Sequence, residues 1–224
     1  TLFRSKEAGV VKALAAGTAT LTATLSKDEK ITFEITVTDG VVTEIPREEF
    51  DGITSSANTE QSSGEPAGSG VASAATDGDS STYWHSQWSG FTVSKENPAI
   101  LTVDLGKEMS IGGFKFQQRP GTNNGIVYKY HYEAFDAAGE KVASSDTISV
   151  DNAQRAGGQW ITSLFESVAN VKTIKIYVEE GKGNFAAIAE VVPLRMQKVA
   201  DSATLDDVTI KVGEKVRLEA KHNE

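Results

Sequence analysis

The stretch that decides the fold is ATDGDSSTYWHS, residues 75–86. Asp77 and Asp79 flank Gly78, and Thr82 follows in a segment too rich in Gly and Ser for a helix interior. Carboxylate, hydroxyl and carbonyl oxygens converge in one tight turn, which is the donor chemistry that a hard cation such as calcium requires. Asx-Gly pairs are also common in plain turns, so the local spacing alone leaves both interpretations open.

Composition restricts the class of protein. The 224 residues include no Cys, and the hydrophobic fraction of 39% is modest, while Gly, Ser, Thr, Val and Ala abound. Helix-favouring heptad patterns are absent, so the sequence predicts an all-β protein with short strands and polar turns. A formal net charge of -9, without a basic cluster that includes aromatic residues, argues against nucleic acid as a partner.

Alternating apolar and polar residues mark the strands of a central domain. Their spacing with polar turns favours an antiparallel sandwich over parallel β/α units. A Ser/Gly/Glu-rich stretch at 55–70 has the composition of a linker, but strand patterns lie on both sides of it. We therefore interpret it as an early loop of a domain that spans residues 41–197. The alternating segments are residues 41–45, 99–105, 111–117, 128–135, 171–178 and 186–194.

Strand patterns also occur on both sides of this domain. Residues 9–24 follow the pattern G-x-V-x-A-L-x-x-G-x-A-T-x-T-A-T, which resembles the second half of bacterial Ig-like group 2 domains. Residues 203–220 contain two alternating strands, similar to the first strands of such a domain. We expect residues 1–40 to be the C-terminal part of an Ig-like domain and 198–224 to be N-terminal strands of one. The flanks either belong to separate neighbours or pair into one sandwich.

Several motifs follow one another in the central domain. They are DGDSSTYWHS at 77–86, ILTVDLG at 100–106, IGGF at 111–114 and AIAEV at 187–191. Their order resembles the coagulation factor V/VIII type C, or discoidin, family. The variant with Trp-His-Ser is similar to the family 32 carbohydrate-binding modules of bacterial glycan-degrading proteins. The resemblance implies a discoidin-like jelly-roll β-sandwich in an extracellular or bacterial cell-surface protein.

The resemblance implies a structural calcium near one end of the sandwich. The sequence around Glu190 agrees, because a carboxylate buried in the apolar run at 185–192 needs a cation partner. An outward-pointing strand glutamate is the alternative. We expect the ion to clasp both ends of the domain and to stabilise the fold without performing chemistry. The matching ligand positions are Ala74, Asp77, Asp79, Thr82, Ala189 and Glu190.

The resemblance also implies a shallow glycan site in the loops beside the calcium loop. In such modules a His and an Arg bind sugar hydroxyls, and an aromatic ring stacks on the apolar face of the sugar. The Arg-x-x-x-x-Asn-Gly pattern at 119–125 is similar to that of galactose-type modules, so a terminal galactose or N-acetylgalactosamine is expected. The matching candidates are His85, Trp88, Arg119, Asn124 and Phe185.

The local sequence predicts where these side chains point. If a strand buries Trp84, His85 points the opposite way and reaches solvent, with a plain surface histidine as the alternative. Phe185 and Trp88 lie among small polar residues, which favours exposure. The alternative for both is a contact that anchors a loop to the core, and it suits Trp88 better than Phe185. Trp84 and Trp160 are assigned to the core.

The sequence predicts a non-catalytic module. Three His, no Cys and carboxylates assigned to calcium leave no nucleophile with a base and no acid/base pair. The loops lack adjacent Leu, Met or Phe residues, so membrane insertion is not expected. We expect a monomeric domain in a multidomain chain that targets a larger surface or secreted glycan-active protein. The alternatives are a discoidin domain for protein or surface adhesion and a structural spacer.

Overall fold

The structure is a computed structural model that describes residues 3–4, 12–13, 17–26, 29–37, 41–49, 52–121 and 124–197. The chain divides into two compact units. One comprises residues 42–196, and the other comprises residues 1–41 together with 197–224. Within the described ranges, no helix is long and apolar enough to cross a membrane.

The unit that contains the N-terminus is described through two antiparallel strand pairs. β1 (Phe3–Arg4) pairs with β2 (Lys12–Ala13). β3 (Gly17–Ser26) pairs with β4 (Glu29–Val37), and β3 carries the Thr/Ala/Leu alternation of the Ig-like pattern. Membership of an Ig-like domain stays a prediction, and the strands predicted within 198–224 lie outside the described residues.

The unit of residues 42–196 is built on a nine-stranded sheet. Its strands are β5 (Val41–Glu44), β6 (Thr54–Ala57), β7 (Trp84–His85), β8 (Ala99–Gln118), β9 (Val127–Phe135), β10 (Lys141–Ser144), β11 (Ile148–Ser149), β12 (Trp160–Gly181) and β13 (Ala187–Gln197). The order is β10-β9-β12-β8-β13-β5, with β11 on β9, β6 on β8 and β7 on β13. Short 3-10 helices occur at Arg47–Glu49, Ala72–Thr76, Asn152–Gln154 and Lys182–Asn184. The all-β prediction is confirmed.

Two long strands, β8 and β12, curl the sheet on itself. The first part of β8 pairs with the end of β12, as in Leu101 opposite Ile176. The second part of β8 pairs with the start of β12, as in Phe116 opposite Ile161. Between these parts the register shifts after Leu164, and such bulges bend a strand and increase its twist. The curled sheet can therefore enclose a core between its two halves.

Aromatic side chains fill the centre of this core. Phe114 meets Tyr132 edge to face with ring centroids 5.2 Å apart, and Phe116 meets Tyr130 in the same way at 5.1 Å. The buried hydroxyl of Tyr130 shares a hydrogen bond of 2.7 Å with the Ser163 hydroxyl. Each apolar side chain of this size contributes about 1.5–3 kcal/mol when fully buried. The loops that carry the candidate site residues thus project from a rigid sandwich.

The two tryptophans assigned to the core differ in position. Trp84 is fully buried, and its Nε1 donates to the Thr59 carbonyl at 2.8 Å. Trp160 is only half-buried, so the prediction of a core position is wrong for it. Trp160 lies opposite Gln117 on the outer face of β12, where the Lys115 ammonium stacks 3.7 Å from its ring centroid. A cation over the ring covers part of its surface without removing it from water.

Candidate functional site

A loop rich in acidic and hydroxyl groups lies against Glu190. β7 pairs with the start of β13, which brings residues 77–82 beside that glutamate. Asp77 accepts hydrogen bonds from the Asp79 amide at 2.8 Å and from the Thr82 hydroxyl at 2.7 Å. The Gly78 amide donates to Glu190 Oε1 at 2.5 Å. Donors of the loop therefore converge on two neighbouring carboxylates.

Glu190 is in an environment that disfavours its charged form. It is 5% exposed, so the sequence prediction of a buried carboxylate is confirmed. Burial and, to a smaller extent, the adjacent Asp77 carboxyl raise the pKa of Glu190 to about 7 against the opposing effects of the Gly78 amide and of Arg47. Arg47 Nη2 donates to the Thr76 carbonyl at 2.6 Å, which holds the guanidinium near the loop. Two acidic groups in so small a space require a compensating positive charge or a proton.

The remaining predicted metal ligands, Asp79, Ala189 and Ala74, differ in their burial and in their local backbone structure. Asp79 is exposed, and its carboxylate accepts from the amide and hydroxyl of Ser81 at 2.9 and 2.6 Å, which lowers its pKa. Its backbone carbonyl lies 2.9 Å from Thr82 Oγ1 and shares the single hydroxyl proton with Asp77. Ala189 lies at a register shift between its neighbours in β13, where one residue drops out of the ladder. Ala74 is buried in the 3-10 helix that precedes the loop.

The donor set is one of oxygen atoms. Among the residues that the structure describes, no three His, Cys, Asp or Glu side chains are grouped to hold a metal. A cation at this loop would therefore rely on the carboxylates of Asp77 and Glu190 together with hydroxyl and backbone carbonyl oxygens. Hard cations such as calcium take this mixture of ligands, whereas zinc prefers His and Cys. The buried acid beside a second acid fits such a cation.

A second cluster forms around His85. Nδ1 of the ring lies 2.6 Å from the Ser86 carbonyl, so it carries the proton and leaves Nε2 as the acceptor of a neutral imidazole. The ring centroid lies 5.4 Å from that of Phe185 and 6.5 Å from that of Trp88, with the Trp88 ring perpendicular. Burial lowers the pKa of His85. An uncharged hydrogen-bonding ring is thus held between two aromatic side chains.

His85 is 1% exposed, so the expectation that it reaches solvent is wrong. Strand alternation places His85 opposite Trp84, but β7 is only two residues long and both of its residues are buried. A contact that anchors a loop to the core was expected for Trp88 more than for Phe185, and the structure shows the reverse. Trp88 is 47% exposed, whereas Phe185 is half-buried against His85. Trp88 therefore presents the larger free ring surface of the two.

Arg119 lies almost entirely below the surface, with 8% exposure. Its Nη1 donates to the Asn124 carbonyl at 3.1 Å, and its Nη2 donates to the Tyr83 hydroxyl at 2.7 Å. The guanidinium lies 4.1 Å from the centroid of the Tyr83 ring. Nε is buried and has no hydrogen-bond partner within the described residues. A buried donor without a partner is costly, because the protein does not replace the water that it has lost.

Backbone geometry brings the loop of Asn124 against that of Phe185. Gly183 has a φ of +73°, and a Cβ built on it would lie 2.8 Å from Asn124 Oδ1 and 3.3 Å from Phe185 Cδ2. A Cβ built on Gly125 would lie 3.2 Å from His85 Nε2. The structure therefore brings the five predicted ligand residues into one patch, and glycines allow its loops to approach closely.

Glu65 and Tyr83 are two further residues of this patch that the sequence analysis missed. The Glu65 side chain is 6% exposed, and its Oε2 accepts from the Tyr83 hydroxyl at 2.6 Å. Its Oε1 accepts from Trp88 Nε1 at 3.1 Å and lies 3.9 Å from His85 Nδ1. Burial and the hydrogen bond to Glu65 raise the pKa of Tyr83 to about 12. The Ser/Gly-rich composition around Glu65 carried no signal for this role.

Comparison with known proteins decides the family. The family model for the F5/8 type C domain matches residues 53–191, a range that contains both clusters. The chain belongs to the F5/8 type C domain family. The match covers most of the unit of residues 42–196, and the jelly-roll sandwich predicted for it is confirmed. The two clusters are thus features of one F5/8 type C domain.

Solved structures are similar to this F5/8 type C domain. The family 32 CBM of C. perfringens NanJ, in complex with galactose, has 28% identity and a TM-score of 0.56, and the alignment covers 69% of this chain and all (100%) of that one. CpGH89CBM32-5 from Clostridium perfringens, in complex with GalNAc-β-1,3-galactose, has 24% identity and a TM-score of 0.53 over 63% and 94% of the two chains. The C-terminal domain of a Bacteroides fragilis chitobiase has 23% identity and a TM-score of 0.54 over 67% and 97%. The latter two support the fold.

Proposed function

We propose that this F5/8 type C domain binds a terminal sugar of a glycan, of the galactose or N-acetylgalactosamine type, without catalysis. The observation that carries the proposal is the convergence of an exposed indole, a neutral imidazole and a buried arginine with an unused donor. A similar structure, the family 32 CBM of NanJ, is in complex with galactose. The proposed ligand residues are His85, Trp88, Arg119, Asn124 and Phe185.

The chemistry of a pyranose matches these groups. One face of the ring carries C–H groups, which favour contact with an aromatic surface such as that of Trp88 or Phe185. A hydroxyl can donate to His85 Nε2 and accept from an N–H of Arg119, because this imidazole nitrogen accepts and a guanidinium only donates. The exposed Asn124 can offer either a donor or an acceptor. A galactose-type sugar can therefore be held by its apolar face and its hydroxyls together.

The proposal includes a structural calcium at the loop of residues 77–82. Its side-chain ligands are Asp77, Thr82 and Glu190, and carbonyl oxygens of Ala74, Asp79 and Ala189 complete the set. Calcium supplies the positive charge that the two neighbouring carboxylates need. Because the ion binds the folded form, it adds stability in proportion to the logarithm of its concentration.

We place the domain in an extracellular or cell-surface protein, where it targets a glycan-active partner domain of the same chain to its substrate. Binding by one module raises the local concentration of any linked domain near the glycan. Affinity of a single site in the millimolar to micromolar range corresponds to about -4 to -8 kcal/mol. Such weak binding is sufficient for targeting when several modules act together.

The proposal is tested by calorimetric titration of galactose, N-acetylgalactosamine, lactose and N-acetyllactosamine into calcium-loaded protein. Saturable binding is expected in the wild type and not in His85→Ala or Arg119→Ala. Arg195→Ala is the control, because Arg195 forms an exposed ion pair with Glu49 at 2.6 Å and should leave binding unchanged. No binding to these sugars or across a broad glycan array would favour a protein-binding or spacer role. Unchanged binding by both His85→Ala and Arg119→Ala would show that the sugar binds at another place on the protein.

A further inference from the structure

We propose that Tyr83 is a positioning residue that orients Arg119 for the sugar, a role that rests on the proposed function. Tyr83 is 3% exposed, and its hydroxyl lies between a carboxylate and a guanidinium. It donates its proton to Glu65 Oε2 at 2.6 Å and accepts from Arg119 Nη2 at 2.7 Å. The phenol thereby links the charges of Glu65 and Arg119 without a direct contact between them.

The direction of these hydrogen bonds follows from the chemistry of the groups. An ionised carboxylate only accepts and a guanidinium only donates, so the single phenolic proton must point to Glu65. The oxygen lone pairs of Tyr83 are then left for Arg119. The ring of Tyr83 adds a second constraint, since the guanidinium lies over it at 4.1 Å. Glu65 thus fixes Tyr83, and Tyr83 fixes both the position and the plane of the guanidinium.

This arrangement prepares Arg119 before a ligand arrives. Nη1 is held by the Asn124 carbonyl and Nη2 by Tyr83, so each terminal nitrogen uses one of its two N–H groups within the protein. Nε is the nitrogen without a partner among the described residues. An arginine already held in one rotamer loses little further freedom on binding. Tyr83 therefore determines where the remaining N–H groups of Arg119 point.

Tyr83 lies outside the main hydrophobic core, so its hydroxyl can be removed with little effect on the fold. It packs with Ala187 and Ala189 in a small buried cluster that is separate from the main core. Replacing Tyr83 by Phe keeps the ring and removes only the hydroxyl. Without the phenol, Glu65 and Arg119 lose their shared partner and can move into direct contact. The change should therefore affect the ligand site more than the fold.

The test compares Tyr83→Phe with Tyr130→Phe. Tyr130 is also buried and loses a hydroxyl bonded to Ser163 at 2.7 Å, but it lies in the main core. Galactose or N-acetylgalactosamine affinity should fall on the order of tenfold in Tyr83→Phe, as for the loss of a hydrogen bond to a charged group. It should stay unchanged in Tyr130→Phe. In an Arg119→Lys background, Tyr83→Phe should cause no further loss, because the group that it orients is gone.

A second readout needs no sugar. The Nε–H of Arg119 should give a distinct NMR resonance with slow hydrogen exchange in the wild type and in Tyr130→Phe. In Tyr83→Phe this resonance should shift and exchange faster. If the wild type binds no sugar, the proposed function fails while this readout still judges the positioning. If the wild type binds and Tyr83→Phe binds equally well, or if the Arg119 resonance is unchanged, the positioning role is overturned.

Discussion

Gln118 ties together the two ends of the loop that carries Arg119 and Asn124. Gln118 is the last residue of β8 and is fully buried, and its side chain bonds to Val127, the first residue of β9. Its Oε1 accepts from the Val127 amide at 2.9 Å, and its Nε2 donates to the Val127 carbonyl at 3.0 Å. The side chain thus links two strands that are not neighbours in the sheet. We predict that Gln118→Leu destabilises the domain and loosens this loop.

The magnitude follows from the two backbone groups that the variant leaves unpaired. Each buried unsatisfied group costs about 1–3 kcal/mol. Leucine recovers part of this by burying apolar surface, so the free energy of unfolding should fall by about 2–4 kcal/mol. For a domain of this size the loss corresponds to a Tm decrease of about 5–15 °C. Sugar affinity should weaken as well, because Arg119 and Asn124 lie in the loosened loop.

The assay is urea denaturation followed by tryptophan fluorescence, with calcium present throughout. Gln117→Leu is the matched control, since Gln117 is only half-buried and donates one hydrogen bond, to the Gly158 carbonyl at 3.1 Å. Its Oε1 has no partner in the described part of the chain, so leucine should cost less than about 1 kcal/mol there. Equal midpoints for Gln118→Leu and the wild type, with equal m-values, would refute the reasoning.

Other predictions concern the ion, pH and the exposed indole. Calcium at a hundredfold excess over its Kd should add about 2.7 kcal/mol of stability relative to EGTA, and Glu190→Gln should lose this gain in a thermal melt; an equal gain in the variant would contradict the site. Because burial lowers the pKa of His85, this imidazole binds more protons in the unfolded chain than in the folded one below about pH 6.5, so His85 contributes a slope by which stability falls as the pH falls; the raised pKa of Glu190 contributes a slope of opposite sign. His85→Phe should flatten this slope in denaturation series, and an unchanged slope would count against it. Trp88→Ala should weaken sugar binding on the order of tenfold while changing stability by less than about 1 kcal/mol; calorimetry showing full affinity would remove Trp88 from the site.

Strand positions were predictable because alternation reports burial on one face. The segments at 99–105 and 111–117 are both strands, but the structure joins them into one strand, β8. Gly106, which has a φ of +75°, lies within β8 where the strand passes from one half of the curled sheet to the other. The first half of β12 was not predicted, since buried Ser163 interrupts its apolar pattern and is satisfied by Tyr130 across the core.

The sequence predicted those residues of the candidate site that belong to a recognisable loop motif, and it missed the others. The loop at 77–82 and Arg119 carry such patterns, and the structure places them beside Glu190 and His85 respectively. Glu65 carries none, because its role arises from contacts with Tyr83 and Trp88 some 20 residues away in sequence. The burial of His85 could not be predicted either, since alternation describes a strand with one open face.

The most direct test of sugar binding is a galactose titration of the calcium-loaded, ¹⁵N-labelled protein followed by NMR. The account predicts saturable shifts concentrated in the amides of residues 83–88, 119–125 and 183–186, together with the Arg119 Nε–H. Shifts that saturate at another surface, such as the groove between Val142 and Phe165, would contradict the proposed site. No shifts with galactose or N-acetylgalactosamine would contradict the proposed ligand class.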